Sequence, residues 1–384
     1  MSLREVVVVG ASAAGNTAAL TLRREGFDGT ITVVGAEERM PYDRPPLSKQ
    51  VLDGRWAPER VELPAAPDVA WRLGVPAASL DVAGRTLVLG DGERLGYDGL
   101  VLATGVVPRP LPYGHGLAGV HLLRTADDAL ALRAALLAGS SVVVVGAGFL
   151  GAETAAVARA LGLSVTLVDP LPAPMVRQFG PRVGGLLAGL HRAHGVDVRT
   201  GTGVTGLNSE DGRVTGVTLT DGAVVGADVV LVAIGSVPAT DWLAGSGLSL
   251  ANGVDCDELC RAAPGVVAAG DVASWPHPGL GGRRLRVEHR MNATEQAVAA
   301  ARTLLGKGTP YAPVPYFWTD QYDVKIQAYG SWTEAAALTV VEGDPQDGRF
   351  AAVYHEDGLV TGALGWNMPR ATRQLRSSLG TPAP

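Results

Sequence analysis

Gly10, Ser12 and Gly15 follow the spacing Gly-x-Ser-x-x-Gly, and Gly146, Gly148 and Gly151 follow Gly-x-Gly-x-x-Gly. Such turns bring backbone N–H groups and the positive end of a following helix against a pyrophosphate. An acid about 20 residues further on can accept hydrogen bonds from ribose hydroxyls. Glu37 serves the first turn in this way and Asp169 the second. The chemistry these residues point to is capture of a dinucleotide, twice in one chain. Ser12 departs from the pattern, because a glycine is usual there; a small side chain strains the close approach without excluding it.

Both turns need a strand before them and a helix after them. Val6 to Val9 form a run of β-branched residues, Gly10 ends it, and an alanine-rich helix is predicted over about Ala13–Arg24. Gly26 stops that helix, and the strand Thr30–Val34 leads to Glu37. The second copy reads alike: VVVVGAGFLG from Val142, a helix over about Phe149–Leu161, Gly162, and a strand Ser164–Val168 before Asp169. The repeat runs on. AGRTLVLGDGERLGYDGLVLATG and DGRVTGVTLTDGAVVGADVVLVAIG each read as strand, Asp-Gly turn, strand, break and a fully apolar strand. Gly105 and Gly235 close the two copies, each followed three residues later by a proline, Pro108 and Pro238. The predicted class is α/β: two homologous Rossmann-like dinucleotide-binding domains, each three-layered with a parallel sheet and an antiparallel meander.

Other segments carry local signals. PYDRPPLSK, from Pro41 to Lys49, reads as a rigid extended loop whose three prolines leave no room for a helix. Its Arg44 and Lys49 suit phosphate or an anionic ring. In VVAAGDVASW, Asp271 follows an apolar strand and a glycine, and either bonds a hydroxyl or opens a helix. Asn292 to Leu305 reads as a helix, and KGTPYAPVP marks a boundary. Beyond it, PYFWTDQYDVKIQAYG and VYHEDGLVTGALGW alternate as antiparallel strands, and PRATRQLRSSL closes the chain as a basic helix. This makes a small α+β C-terminal domain, in which Phe317 and Trp318 read on sequence alone as core aromatics.

Composition narrows the function. A chain of 384 residues with 47% hydrophobic and 18% charged residues suits two or three globular domains. A net charge of −6 speaks against a nucleic-acid partner. No run approaches an uncharged membrane span, and the N-terminus enters a strand without a signal core, so a cytoplasmic setting is expected. Cys256 and Cys260 are too few for a disulfide framework and fit no common metal spacing; were the segment helical they would share a face.

PYDRPPLSK directly after the first unit, followed in order by LVLATGVVPRP, GAGFLGAE, VLVAIGSVP, VVAAGDVA, VEH, NATEQAVAAA and PYFWTDQYD, resembles a known family. It is that of the FAD-dependent NAD(P)H:ferredoxin reductases of the putidaredoxin-reductase and biphenyl-dioxygenase-reductase type, within the glutathione-reductase-like flavoproteins. The resemblance covers nearly the whole chain. It implies an FAD domain over 1–110 and 240–312, an NAD(P)H domain over 111–239 and a C-terminal interface domain over 313–384. It also implies that Gly10, Ser12, Ala13, Ala14 and Gly15 meet the FAD pyrophosphate, with Glu37 on the ribose and Arg44, Pro45 and Lys49 lining the flavin. Gly146, Gly148, Phe149, Leu150 and Gly151 would take the second pyrophosphate. Ala103, Thr104, Gly105, Arg109, Ile234, Gly235, Gly270, Asp271, Glu288, His289, Arg290 and Trp318 complete the cofactor-binding set.

Lys49 and Glu153 are the residues implied at the reaction centre, paired beside the flavin; on sequence alone Glu153 reads as a first-turn helix acid. Asp169 favours NADH, and Arg177 leaves NADPH open. Disulfide reductases of the superfamily carry a redox cysteine pair near here, and none stands between Arg39 and Leu52. The family tryptophan after Glu288 and His289 is Arg290 here, which puts the packing at the flavin edge in question. The implied partner is an iron–sulfur ferredoxin, docking on Arg283, Arg284, Arg286, Arg290, Arg370, Arg373 and Arg376 and feeding an oxygenase. A rubredoxin or monodehydroascorbate-type reductase, or a flavoprotein whose FAD is a redox sensor or a structural element, is the alternative; monomer and homodimer both stay open.

Overall fold

The computed structural model describes residues 3–114 and 116–383. Among the described residues six α-helices follow in chain order: α1 Ala13–Arg24, α2 Ala126–Ala138, α3 Phe149–Ala160, α4 Val176–Ala193, α5 Arg290–Leu304 and α6 Pro369–Leu375. The chain divides into two compact units.

The first unit comprises residues 3–43, 61–107 and 237–315. Its central sheet runs Arg261–Ala263, Val266–Ala268, Gly99–Leu102, Glu5–Val9, Thr30–Val34, Ala70–Arg72, all parallel except the first strand. Val6 to Val9 and Gly99 to Leu102 are buried along their whole length, as strands covered on both faces must be. The helices α1 and α5 pack together. A meander of Ala77–Asp81, Thr86–Leu89 and Arg94–Gly96 joins the same core through Leu80, Leu87 and Leu89. Cys256 and Cys260 lie buried in the connection between two short strands rather than in a helix, Cys260 with a positive φ of 64°. Burial pushes both thiols up, Cys260 to about 12, so neither is a thiolate at neutral pH.

The second unit comprises residues 44–60, 108–236 and 316–383. Its parallel sheet runs Asp197–Thr200, Ser164–Asp169, Ser141–Val145, Val229–Val232, Val120–His121. Val204–Glu210, Arg213–Leu219 and Val224–Gly226 form its meander. An antiparallel sheet of five strands holds Tyr316–Gln321, Val324–Gly330, Leu359–Trp366, Arg349–Glu356 and Ala337–Asp344 in that order. Phe179, Val183 and Leu187 of α4 and Ala152 of α3 share a core with Ile326, Phe350 and Leu364 of that sheet.

The repeat extends to single hydrogen bonds. Asp98 Oδ2 accepts from the N–H groups of Arg4 and Glu5 at 2.8 and 3.0 Å; Asp228 Oδ2 accepts from Ser140 and Ser141 at 2.8 and 3.0 Å. These donors hold both carboxyls below their usual range, Asp228 at about 2. Each bond ties the start of one sheet strand to the turn before the next. One expectation fails locally: residues Pro45–Ser48 form a 3-10 turn instead of an extended loop. Proline at the first helical position loses no hydrogen bond and has a suitable φ, so a Pro-Pro pair can open a helical turn.

Candidate functional site

In the first unit, Gly10 has φ 115°, and a Cβ there would lie 2.1 Å from the Ala103 carbonyl oxygen. A Cβ on Gly15 would lie 1.8 Å from Gly10 O. In the second unit the matching distances are 2.3 Å from Gly146 to Ala233 O and 1.9 Å from Gly151 to Gly146 O. These glycines are demanded by backbone packing. Gly148 differs: a Cβ there would meet open space. It occupies the position of Ser12, and each residue stands just before its helix with extended ψ and makes no side-chain cap. No acid sits in the first turn of α1 or α3. By contrast α2 carries a full capping box, Thr125 with Asp128. The first N–H groups of α1 and α3 thus keep donors for an incoming anion. At the open position of Gly148 a serine side chain is sterically allowed.

Around the first turn the structure gathers Gly10, Ser12, Ala13, Ala14, Gly15, Ala103 and Gly270, whose Cβ would stand 3.1 Å from that of Ala14. Gln296 of α5 fixes Gly270 by accepting from its N–H at 2.9 Å. Asp271 follows in a short 3-10 turn. Glu37 accepts from the Tyr42 hydroxyl. Thr104, beside Gly105, donates to Ala239 O at 3.0 Å. Glu288 pairs with Arg286 at 2.7 Å. His289 stands immediately before α5, and loss of hydration pulls its pKa down to about 4 against the opposing pull of Glu288. Arg290 opens α5, pairs with Asp43 at 2.5 Å and donates to Thr294. The arginine that stands in place of the family tryptophan is therefore internally bonded.

Around the second turn lie Gly146, Gly148, Phe149, Leu150 and Gly151, with Ile234 and Gly235 after the neighbouring strand. Both oxygens of buried Asp169 are engaged, Oδ2 by Ala147 N–H at 2.6 Å and Oδ1 by Leu171 N–H at 2.8 Å. Each keeps a further lone pair. Arg177 is exposed in the first turn of α4. Arg109 N–H donates to Gly235 O at 2.9 Å. Arg44 donates to Arg124 O at 2.7 Å, and Pro45 begins the 3-10 turn.

That turn delivers Lys49 to α3. Lys49 Nζ lies 2.7 Å from Glu153 Oε2, with both side chains buried. Ser48 Oγ donates to the same oxygen at 2.5 Å, and Thr319 Oγ1 to Oε1 at 2.9 Å. Trp318, the neighbour of Thr319, alternates to the strand's other face and stacks near Tyr316 at 5.9 Å. Ser48, Thr319, Asn16 and Gln296 escaped sequence reasoning. Asn16 bonds Pro64 O and Ala66 N–H, both at 2.9 Å. A polar residue inside an otherwise apolar, buried helix face was the available signal.

Residues 4–301 match the family described as pyridine nucleotide-disulphide oxidoreductase, and residues 316–383 match the reductase C-terminal domain. A rhodocoxin reductase of Rhodococcus erythropolis is 40% identical over 99% of this chain and 90% of its own. A ferredoxin–NAD(P)+ reductase of a Sphingomonas species is 40% identical over 93% of this chain and 88% of its own. The reductase of a covalent putidaredoxin reductase–putidaredoxin complex superposes with a TM-score of 0.92 at 34% identity, covering 97% of this chain and 92% of that one. Among the described residues no helix is long and apolar enough to cross a membrane. With its two nucleotide cradles and its reductase C-terminal sheet, the chain belongs to the pyridine nucleotide-disulphide oxidoreductase family, in the branch of the ferredoxin–NAD(P)+ reductases.

Proposed function

We propose that the chain holds FAD at the first glycine turn and NADH at the second, and passes electrons from NADH to an iron–sulfur ferredoxin that serves an oxygenase. FAD, when bound, supplies the conversion of a two-electron donor's reducing power into single-electron steps. The observation that carries the reading is the duplicated cradle: two helix starts, α1 and α3, each uncapped by a side chain and each behind a turn only glycine can make.

The residues then divide the work. The FAD domain spans 1–110 and 240–312, the nicotinamide domain 111–239 and the C-terminal domain 313–384. N–H groups at Ser12, Ala13, Ala14 and Gly15 hold one pyrophosphate; those at Phe149, Leu150 and Gly151 hold the other. The lone pairs left on Asp169 accept from a free ribose 2′-hydroxyl, and its charge opposes a 2′-phosphate, so NADH is preferred over NADPH. Lys49, held by Glu153 at 2.7 Å, places a positive charge beside the flavin ring and favours its reduced, anionic state.

The docking face needs positive charge that is not already offset. Arg284 faces Asp255 at 3.6 Å, while Arg286 and Arg290 pair with Glu288 and Asp43. Arg370, Arg373 and Arg376 are exposed and make no ion pair among the described residues. These three carry the main attraction for an acidic ferredoxin. Anaerobic titration of the purified yellow protein with NADH, followed by a ferredoxin, tests the whole reading. Bleaching of the flavin by NADH and its return with ferredoxin are expected. A colourless protein that takes up no FAD overturns it; return of colour only with rubredoxin or a small radical acceptor reassigns the carrier.

A further inference from the structure

The Glu153 carboxylate is the end of a longer row of hydrogen bonds within the second unit. Thr319 Oγ1 donates to Glu153 Oε1 at 2.9 Å, and Gln321 Nε2 donates to Thr319 Oγ1 at 3.2 Å. Gln321 Oε1 lies 2.9 Å from His191 Nε2, and His191 Nδ1 lies 2.9 Å from the Tyr322 hydroxyl. Glu153, Thr319, Gln321 and His191 are buried, and Tyr322 is half-buried.

The direction of every link follows from donor chemistry. Gln321 Nε2 faces a hydroxyl and, at 3.5 Å, the Met175 sulfur, so its oxygen faces the imidazole. An amide oxygen only accepts, so His191 Nε2 carries the ring proton. Burial holds His191 neutral, with its pKa lowered to about 4; Nδ1 therefore accepts from Tyr322. Thr319, receiving the amide N–H, sends its own proton to Glu153. All donors point the same way and the row ends on a carboxylate, so each member fixes the orientation of the next. The other ionisable groups near its outer end are His194, stacked on Tyr322 at 3.7 Å and also lowering the His191 pKa, and Arg159, whose charge acts on Tyr322.

We propose that His191 and Tyr322 are positioning residues: through Gln321 and Thr319 they hold the Glu153 carboxylate turned toward Lys49. This rests on the reading that Lys49 and Glu153 stand beside the flavin. His191 sits on α4 and Tyr322 in the turn after the Tyr316–Gln321 strand, so neither touches the reaction centre. What they govern is the orientation of the carboxylate presented there.

The test is a double-mutant cycle on the FAD-loaded protein, read as urea unfolding. His191→Phe, Glu153→Gln and the double variant are compared, then repeated with Thr319→Val. Three hydrogen bonds separate His191 from Glu153, and sites without a shared partner multiply their effects on the folding constant. A departure from multiplication of at least about threefold, lost when Thr319 is valine, is expected. Simple multiplication overturns the proposal. If His191→Phe does not fold, Tyr322→Phe replaces it in the same cycle. Imidazole ¹⁵N spectra add a second readout: a proton on Nε2 is expected, and one on Nδ1 overturns the proposal. His191→Gln, which keeps one donor and one acceptor, should restore the coupling. The flavin midpoint potential separates the two readings. A potential unmoved by Glu153→Gln, with the cycle still coupled, supports the row and overturns the placement beside the flavin. A potential moved by Glu153→Gln but not by Tyr322→Phe, with the cycle multiplicative, overturns the row alone.

Discussion

Lys49 Nζ and Glu153 Oε2, 104 residues apart in sequence, meet at 2.7 Å with side-chain exposures of 10% and 6%. A buried pair contributes little net stability, but breaking it leaves a charge without its partner. Lys49→Ala strands the carboxylate with only the Ser48 and Thr319 hydroxyls. The expected cost is about 3–5 kcal/mol in urea unfolding. The double change Lys49→Met with Glu153→Leu should be more stable than Lys49→Ala alone. In stopped flow, Lys49→Ala should slow flavin reduction by NADH at least about tenfold, the loss of roughly 1.4 kcal/mol of charge stabilisation. An unchanged rate would remove Lys49 from the reaction centre.

The two cradles predict opposite outcomes for two neighbouring glycines. A Cβ at Gly151 would sit 1.9 Å from Gly146 O, a backbone atom that cannot turn aside, whereas one at Gly148 meets open space. Gly151→Ala should be destabilised by several kcal/mol and lose nicotinamide binding. Gly148→Ser, which copies Ser12 into the second cradle, should unfold at the wild-type urea concentration and weaken NADH binding by less than about tenfold, or 1.4 kcal/mol. Equal damage from both changes would show that the two turns are not equivalent.

The duplicated fold was legible because its signals are local. Val6–Val9 and Val142–Val145 announce strands buried on both faces, and the Asp91-Gly92 and Asp221-Gly222 turns place glycines at φ 90° and 84°. Local signals also misled. The prolines of PYDRPPLSK suggested an extended loop, yet Pro45 starts a 3-10 turn. The site was less legible because its bonds span the chain. Glu153 alone reads as a helix acid; its partners Ser48 and Thr319 lie 105 and 166 residues away. In FWTDQ the aromatic Trp318 attracted attention, but alternation hands the contact with Glu153 to Thr319 and the next inward position to Gln321. His191 offered no motif, only a single polar residue in a helix whose buried face is apolar.

Acid should destabilise the protein in a window set by its neutral histidines. His191 has its pKa lowered from 6.5 to about 4 by burial, and His289 behaves alike. Between those values the unfolded chain binds protons that the folded chain does not, so stability rises with pH and falls on acidification. The stability is fully present above about pH 6.5 and lost as pH drops toward 4. Each histidine contributes at most about 1.4 kcal/mol per pH unit. Urea midpoints from pH 7 to 4 should fall more shallowly for His191→Gln, by one proton's worth. Parallel curves for the variant and the wild type would show that His191 takes up its proton alike in the folded and unfolded chain, against the burial argument. Asp228, at about 2 against an ordinary 3.8, acts only below about pH 4, and its effect is small because the group is exposed.

Ionic strength should separate the two arginine groups. The arginines before α5 act inside the fold: Arg284 donates to Ser274 O at 2.8 Å, and Arg286 to Asp271 O at 3.0 Å. Changing either to glutamine should lower thermal stability and leave the salt dependence of ferredoxin reduction in place. Arg370, Arg373 and Arg376 lie along α6 and the turn after it, with Arg376 held over the Tyr329 ring at 5.5 Å. Their field extends about one Debye length, roughly 10 Å at 0.1 M salt, so it steers an acidic partner only at moderate ionic strength. Ferredoxin reduction by wild type should therefore slow as salt rises. Replacing all three by glutamine should slow it at low salt and flatten that dependence, with NADH reduction of the flavin unchanged. A wild-type rate flat from 20 to 500 mM salt, on the order of the range that screens exposed charges, would move the docking face away from α6.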